Sequence, residues 1–257
     1  MVQEKEGQAK PAAISTGASP AGVQGEREVG RWVRGMFDDV APRYDLLNHV
    51  LSGNIDRYWR WRTVKQFREV LGRTNARVLD LACGSGDLLQ AMRGEPTRAQ
   101  CLGGDFSHGM LMAAQRKMPS APLMEADALQ LPLAANALDL ITIAFGFRNL
   151  ANYRAGCEEM LRVLKPGGQA AILEFSTPPN SLFRGFYNWY SFQVLPRIGA
   201  MLSGGKASGA YRYLPASVKK FPDAPDLAAL MKSAGFAEVR YERMTFGIVA
   251  LHVGTKG

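Results

Sequence analysis

The sequence predicts an α/β fold with one mostly parallel, seven-stranded sheet, helices on both of its faces, an N-terminal helical cap and an aromatic insertion. Three observations predict it. Short apolar runs alternate with segments of helical periodicity between residues 77 and 175, the order that parallel strands and crossover helices require. One of these runs, RVLDLACGSGD at 77–87, passes from a strand pattern into a glycine turn and then a helix. The chain closes on two strand-like runs, 237–244 and 248–254, joined by a short turn, which suits a final antiparallel hairpin.

Residues 1–28 mix Gly, Ala, Ser, Pro, Gln and charges with almost no large apolar side chain. Such a segment does not offset the entropy of ordering and is expected to be a disordered tail. Residues 29–75 form the cap. Trp32, Val33, Met36, Phe37 and Val40 recur at helical spacing up to Pro42, and a second helix is expected over 56–71, with Arg57, Arg60, Arg62, Lys65 and Arg68 on a solvated face. Residues 76–257 form the main domain. Its strands are expected at 77–81, 101–105, 122–125, 137–144 and 169–175, and its helices at 88–92, 109–117 and 153–164. The stretch 181–220 breaks that rhythm. It is aromatic, basic and interrupted by Gly204 and Gly205, and reads as an insertion facing substrate or membrane. A helix at 226–234 and a turn at Gly235 lead into the hairpin.

At 257 residues and 47% hydrophobic, the chain has the material for one sizeable core with an appendage. No apolar run approaches the roughly 18 to 20 residues that span a bilayer, and the N-terminus lacks the pattern of a signal peptide. The expected location is the cytoplasm, with membrane association limited to the inner face. Cys83, Cys101 and Cys157 contain no C-x-x-C pair, and His49, His108 and His252 lie far apart, so neither a disulfide framework nor a metal site is indicated. The formal charge of +8 attracts anionic surfaces, nucleic acid or acidic lipid. The basic residues are scattered and form no recognised RNA-binding module, which argues against a nucleic-acid partner.

The glycine turn after the first strand is a Rossmann-like nucleotide loop, and its flanking acids restrict the ligand. A pocket for dinucleotide or triphosphate aims N–H groups at phosphate, where Asp80 and Asp87 are repulsive. Leu89 replaces the third glycine of the dinucleotide pattern, and no P-loop lysine follows. S-adenosylmethionine (SAM), with an adenosine, an ammonium and a sulfonium but no phosphate, fits better. Ligands in open α/β sheets lie beyond the carboxyl ends of the strands. Asp80, Gly84 and Gly86 stand at the first such end, Asp105 at the second in position to take ribose hydroxyls, and Asp127 with Ala128 at the third, near the adenine. Taken singly, the glycines also suit any tight turn and Asp127 suits a helix cap.

Further segments sharpen the reading. YDLLNHVLS at 44–52 followed by Trp59, FGFRN at 145–149, RVLKPGG at 162–168 running on to EFS at 174–176, and YRYLPASV at 211–218 together resemble the ubiquinone/menaquinone biosynthesis C-methyltransferase family, over residues 29–257. The resemblance implies a class I SAM-dependent methyltransferase fold, SAM as methyl donor, no metal, and a prenylated quinol as acceptor. It places donor contacts on Ser85, Asp105, Asp127 with Ala128, and Ala144. Ala144 departs from the family's serine, and Asp56 stands where histidine is usual.

Ring-carbon methylation needs an electron-rich ring, which a quinol provides most strongly once a hydroxyl has ionised, and a phenol of pKa about 10 needs a cation or donors at its oxygen for that. Arg148 is expected to stabilise the quinolate, Asn149 to hold the pose, and Tyr44 or Asp45 to close the site. The alternatives are a salt bridge for Arg148 and cap packing for Tyr44. Phe183, Phe186, Tyr187, Tyr190 and Val194 share one helical face, suited to an isoprenoid tail, with Arg184 and Arg197 at lipid headgroups; packing on the sheet or on a second copy in a homodimer is the other reading. Demethylmenaquinol is the favoured acceptor, giving menaquinol. A benzoquinol precursor of ubiquinone and a non-catalytic SAM-binding assembly subunit are the alternatives.

Overall fold

The computed structural model describes residues 16–41, 52–94, 96–189, 193 and 208–257. The cap consists of α1 (Glu26–Val40), α2 (Ile55–Gln66) and the short α3 (Arg68–Leu71). Then follow β1 (Arg77–Leu81), α4 (Asp87–Gly94), β2 (Gln100–Asp105), α5 (His108–Lys117), β3 (Leu123–Glu125), β4 (Leu138–Ala144), α6 (Tyr153–Val163) and β5 (Leu164–Phe175). After these come α7 (Ser181–Trp189), α8 (Ser208–Lys220), α9 (Ala224–Ala234), β6 (Glu238–Met244) and β7 (Val249–Thr255). The seven strands form one sheet in the order β3-β2-β1-β4-β5-β7-β6. The first five run parallel, and β7 lies antiparallel between β5 and β6.

Parallel strands with both faces covered must be apolar nearly throughout. In β1 every residue after Arg77 is buried, and successive side chains feed opposite cores. Leu79 and Leu81 pack with Ile141, Ile143 and Met160 under α6 and α9, while Val78 packs with Leu140, Leu89 and Trp59 under α2 and α4. Helix ends are fixed by local hydrogen bonds. Ser107 caps α5 by accepting from the Met110 N–H at 3.1 Å, Asn152 caps α6 through Ala155 at 3.0 Å, and Asp223 caps α9 through Asp226 at 3.3 Å. Gly235 ends α9 in the left-handed conformation, φ 117°, the backbone glycine supplies without strain.

Three expectations change. The helix expected over 56–71 breaks at Phe67, whose φ of −109° is not helical, because its buried ring turns into the core with Val64 and Leu71. Strand β5 starts at Leu164 rather than 169, and its register against β4 jumps from Leu138–Leu164 to Leu140–Gln169, so the intervening Lys-Pro-Gly-Gly is a bulge. Of the segment expected as a disordered tail, residues 16–25 lie against the body and α1 begins at Glu26; residues 1–15 fall outside the described residues. The Ala18 N–H donates to Leu150 O at 2.8 Å and the Tyr153 N–H to Thr16 O at 2.9 Å, and Ala18 is buried against Val29 and Val33. Backbone pairing holds this strap, which side-chain composition does not register.

The topological switch falls between β1 and β4, where the chain leaves toward β2 on one side and β5 on the other. The carboxyl ends of these strands splay apart there and leave a crevice.

Gly86 carries a close helix–loop approach. Its φ is +88°, and an added Cβ would meet Met118 Cε at 2.4 Å and Ala114 Cβ at 3.4 Å. Gly86→Ala is expected to lower stability by about 1 to 2 kcal/mol, read from urea unfolding midpoints; an unchanged midpoint would contradict this packing role.

Candidate active site

Beyond β1 the chain reverses through Ala82, Gly84 and Gly86, all at positive φ. The Gly84 N–H donates to Asp105 Oδ2 at 2.8 Å, and the Ser107 N–H donates to Oδ1 at 2.8 Å. The acid at the end of β2 thus ties the glycine turn to the start of α5. Burial nevertheless pushes the Asp105 carboxyl up to about 6, outweighing these backbone donors.

The acids flanking the turn behave differently from the expectation that both shape the ligand site. Asp80 shares its strand face with Val78, points into the core and is 1% exposed. Burial pushes it up to about 7, although Thr142 Oγ1 donates to it at 2.8 Å and Arg60 lies near. Asp87 is neutralised within the protein by Lys117 at 2.7 Å and Arg60 at 3.4 Å. Ser85 Oγ accepts from the same Lys117 at 3.1 Å. Arg60 also pairs with Asp56, which stands where histidine is usual in the family and receives a hydrogen bond from Ser52. Of the five basic residues assigned to a solvated face, Arg60 is therefore buried, and it joins the cap to the glycine turn.

A cavity of about 560 Å³ opens at the switch point. Gly84 and Asp105 form its floor, Asp127 and Ala128 one side, Ala144 and Asn149 the other. Asp80, Ser85 and Gly86 are not among its lining residues. The Leu129 N–H donates to Asp127 Oδ1 at 2.9 Å, so this acid stiffens its own loop while bordering the cavity. Ala144 contributes only a methyl group and backbone. Helix α1 forms the roof with Val33, Arg34 and Phe37, a role sequence reading assigned to Tyr44 or Asp45, which lie outside the described residues. Asp38 latches the roof by accepting from Ser107 Oγ at 2.5 Å and from the Gly109 N–H at 3.0 Å. Phe106, which follows the β2 acid, also lines the cavity and lies under the Arg34 guanidinium at 5.0 Å. Sequence reading missed this residue; its position one residue past a strand end is the signal that could have found it.

Arg148 and Asn149 lie in a short 3₁₀ turn, Phe147–Asn149, beyond β4. Arg148 is 6% exposed and pairs with Glu174 at the end of β5 at 2.9 Å. The same carboxylate accepts from the Phe175 N–H at 2.9 Å, while the guanidinium donates to Phe145 O and lies 5.4 Å from the Phe175 ring. The ion pair named as an alternative is therefore present, and Arg148 does not border the 560 Å³ cavity. Asn149 does border it, and neither its amide oxygen nor its nitrogen has a partner.

This site suits SAM. The volume lies within the range of small-molecule sites, Gly84 has no side chain to obstruct close approach, the Asp105 carboxylate lines the cavity as a hydrogen-bond acceptor, and the Asn149 amide borders it without a protein partner. Among the described residues no cluster of His, Cys, Asp and Glu could hold a metal ion.

The sheet order and the crevice define a class I SAM-dependent methyltransferase. A solved SAM-dependent methyltransferase from Thermotoga maritima superposes with a TM-score of 0.62 over 88% of this chain and 100% of its own, at 16% identity; the likeness is one of fold. The model of the ubiE/COQ5 methyltransferase family matches residues 23–256, and the chain belongs to that family. The chain is 47% identical over 225 residues to a demethylmenaquinone methyltransferase of Thermus thermophilus, covering 86% of this chain and 100% of the relative. It is 45% identical over 237 residues to a ubiquinone/menaquinone biosynthesis C-methyltransferase of Geobacter sulfurreducens, covering 90% of each.

If Asp105 takes the ribose hydroxyls of the donor, donor binding is expected to depend on pH. Near pH 6 the ligand-free carboxyl is partly protonated. Ribose hydroxyls favour the charged form and draw its pKa down, so binding there releases a proton and affinity falls as pH drops below about 6. Titration calorimetry of SAM in two buffers of different ionisation enthalpy should show proton release at about pH 6 and none at about pH 8. Equal affinity and no release at either pH would contradict the assignment.

Proposed function

We propose that this protein methylates a ring carbon of a prenylated quinol, with demethylmenaquinol as acceptor and menaquinol as product. The observation that carries the reading is the Asn149 amide, buried, unpartnered and bordering the donor cavity next to the Arg148 cation. The names of the relatives at 43–47% identity support it. The benzoquinol alternative draws on the relatives named for ubiquinone as well as menaquinone biosynthesis.

SAM supplies a methyl group already activated by a sulfonium. In the transfer the ring carbon forms the new bond, the methyl–sulfur bond breaks with its electrons staying on sulfur, and the ring carbon then gives its proton to the Asp127 carboxylate or to water. The protein's share is alignment and charge. In this reading Gly84, Asp105, Asp127 and Ala128 seat the adenosine, and the Ala144 backbone borders the methionine part. The Asn149 amide holds the ring pose, and the Arg148 guanidinium, fixed by Glu174, lends its field to the quinolate oxygen. Tyr44 and Asp45 remain proposed closing residues from the cap. A reduced ring reacts and an oxidised quinone does not.

A lipid-tailed acceptor calls for access from a membrane, and we include a peripheral contact in the proposal. Among the described residues no helix is long and apolar enough to span a bilayer. Leu182 on α7 is 85% exposed and Phe246, in the turn between β6 and β7, is 78% exposed. Phe183 packs on Phe246 at 5.1 Å, and Arg243 borders the same groove. Apolar tips beside a cation suit an acidic bilayer surface.

With methyl-labelled SAM, label is expected in menaquinone only when chemically reduced demethylmenaquinol is supplied. Label from the oxidised quinone would contradict the chemistry, whereas SAM binding with no label from either acceptor class would favour the assembly-subunit reading. The double variant Leu182→Ser, Phe246→Ser should lose sedimentation with anionic vesicles while keeping its melting temperature. Undiminished sedimentation would remove this surface from the proposal.

A further inference from the structure

A second chamber, of about 300 Å³, lies on the other side of α1 from the donor cavity. Trp32, Arg148, Tyr153, Tyr213 and Lys220 line it together with the strap at 17–21. The two compartments meet at one turn. Asn149 borders the donor cavity and Arg148 the chamber, while Ala151 borders the cavity and Gly17, packed against the Ala151 carbonyl, borders the chamber.

Several polar groups of the chamber wall already have partners. The Tyr153 hydroxyl donates to Arg148 O at 3.0 Å, Lys220 Nζ donates to Ser19 O at 3.0 Å, and Arg148 pairs with Glu174. Tyr213 differs. Its ring packs on Trp32 at 5.0 Å, and its hydroxyl is buried with no hydrogen-bond partner. Burial raises its pKa, so the phenol remains protonated, and it lines the same chamber as Arg148. A buried hydroxyl left without a partner destabilises a fold, and native structures keep few of them. Asn149 and Ser176, at the ends of β4 and β5, also carry buried unpartnered polar atoms. Asp80 and His252 also hold a buried unpartnered atom elsewhere in the core, but Asn149 and Ser176 flank the residues of the Arg148–Glu174 pair in sequence, and Tyr213 lines the chamber with Arg148.

We infer that this chamber is an aromatic-diol site, in which the Tyr213 hydroxyl donates a hydrogen bond to a ring oxygen of the acceptor. The chemistry of the wall supports this ligand class. Trp32 and the Tyr213 ring offer aromatic faces, the Tyr213 hydroxyl offers one donor, and the Arg148 cation favours an oxygen that is losing its proton. The inference deepens the proposed function by assigning the acceptor's head group a place, and it adds to the site a residue of the 211–218 motif that the donor chemistry does not use.

Tyr213→Phe keeps the ring on Trp32 and removes only the hydroxyl, so its melting temperature should equal or exceed that of the parent. The probe is 1,4-naphthalenediol, a soluble head group kept reduced under anaerobic conditions and titrated with S-adenosylhomocysteine present. The parent should bind it, and Tyr213→Phe should bind about tenfold more weakly, the loss expected for one hydrogen bond. SAM affinity should be the same in both. Equal diol affinity in parent and variant, or no diol binding by the parent, would overturn the inference. Tyr213-dependent diol binding in a protein that transfers no label would leave the site standing and sink the methyl-transfer reading.

Discussion

The Arg148–Glu174 ion pair is the constraint on which this end of the molecule depends. Taking two charges out of water costs several kcal/mol per ion, and only close, multiple contacts offset it. Here the guanidinium meets the carboxylate at 2.9 Å and also reaches the Phe145 carbonyl, while the carboxylate takes the Phe175 N–H. The Arg148 N–H donates to the other carboxylate oxygen at 3.2 Å. These contacts pin the turn after β4 to the end of β5. They fix Asn149 with its amide at the donor cavity and Arg148 at the second chamber. An uncharged pair of similar volume would hold the strands together. A cation beside a site for an ionising phenol is the feature such a pair would lack.

A second charge pattern governs the donor side. Around the glycine turn, Asp87 is balanced by Lys117 and Arg60, Asp56 by Arg60, and Asp80 is buried in the core. Asp105 is left as the acid at the cavity floor, tied by backbone N–H groups of the glycine turn and of α5. The roof is held by the same elements. Asp38 of α1 accepts from Ser107 and Gly109 at the start of α5. The acid, the turn and the roof thus share one small hydrogen-bond network, and a change in any of them reaches the others.

The strand and helix pattern was legible because a sheet covered on both faces demands apolar runs, and the parallel β1 and β4 and the antiparallel β7 supply them. The position of the cavity was legible through one rule, that ligands lie past strand ends: Gly84, Asp105, Asp127, Ala128 and Asn149, read from it, line the cavity, as does Ala144, which the family resemblance supplied. What was not legible depends on which way a side chain turns or on backbone pairing. Asp80 and Arg60 read as ligand-facing and solvated charges, yet alternation along β1 buries the first and a carboxylate on each side buries the second. Gly86 read as a site for close ligand approach, whereas it makes room for Met118. The strap at 16–18 carries no apolar signal because backbone groups hold it. The roof role of α1 was hidden because amphipathicity reveals that a helix has a buried face and not what that face covers.

The most direct test of the central claim is Glu174→Gln, which keeps the side-chain shape, removes the negative charge, and touches neither cavity. Stability, SAM affinity and turnover of the reduced quinol would be measured together. If the pair orients the site, turnover falls by roughly tenfold or more while SAM affinity stays within about threefold of the parent. A loss of stability with turnover unchanged would contradict the account and reduce the pair to a strand clamp.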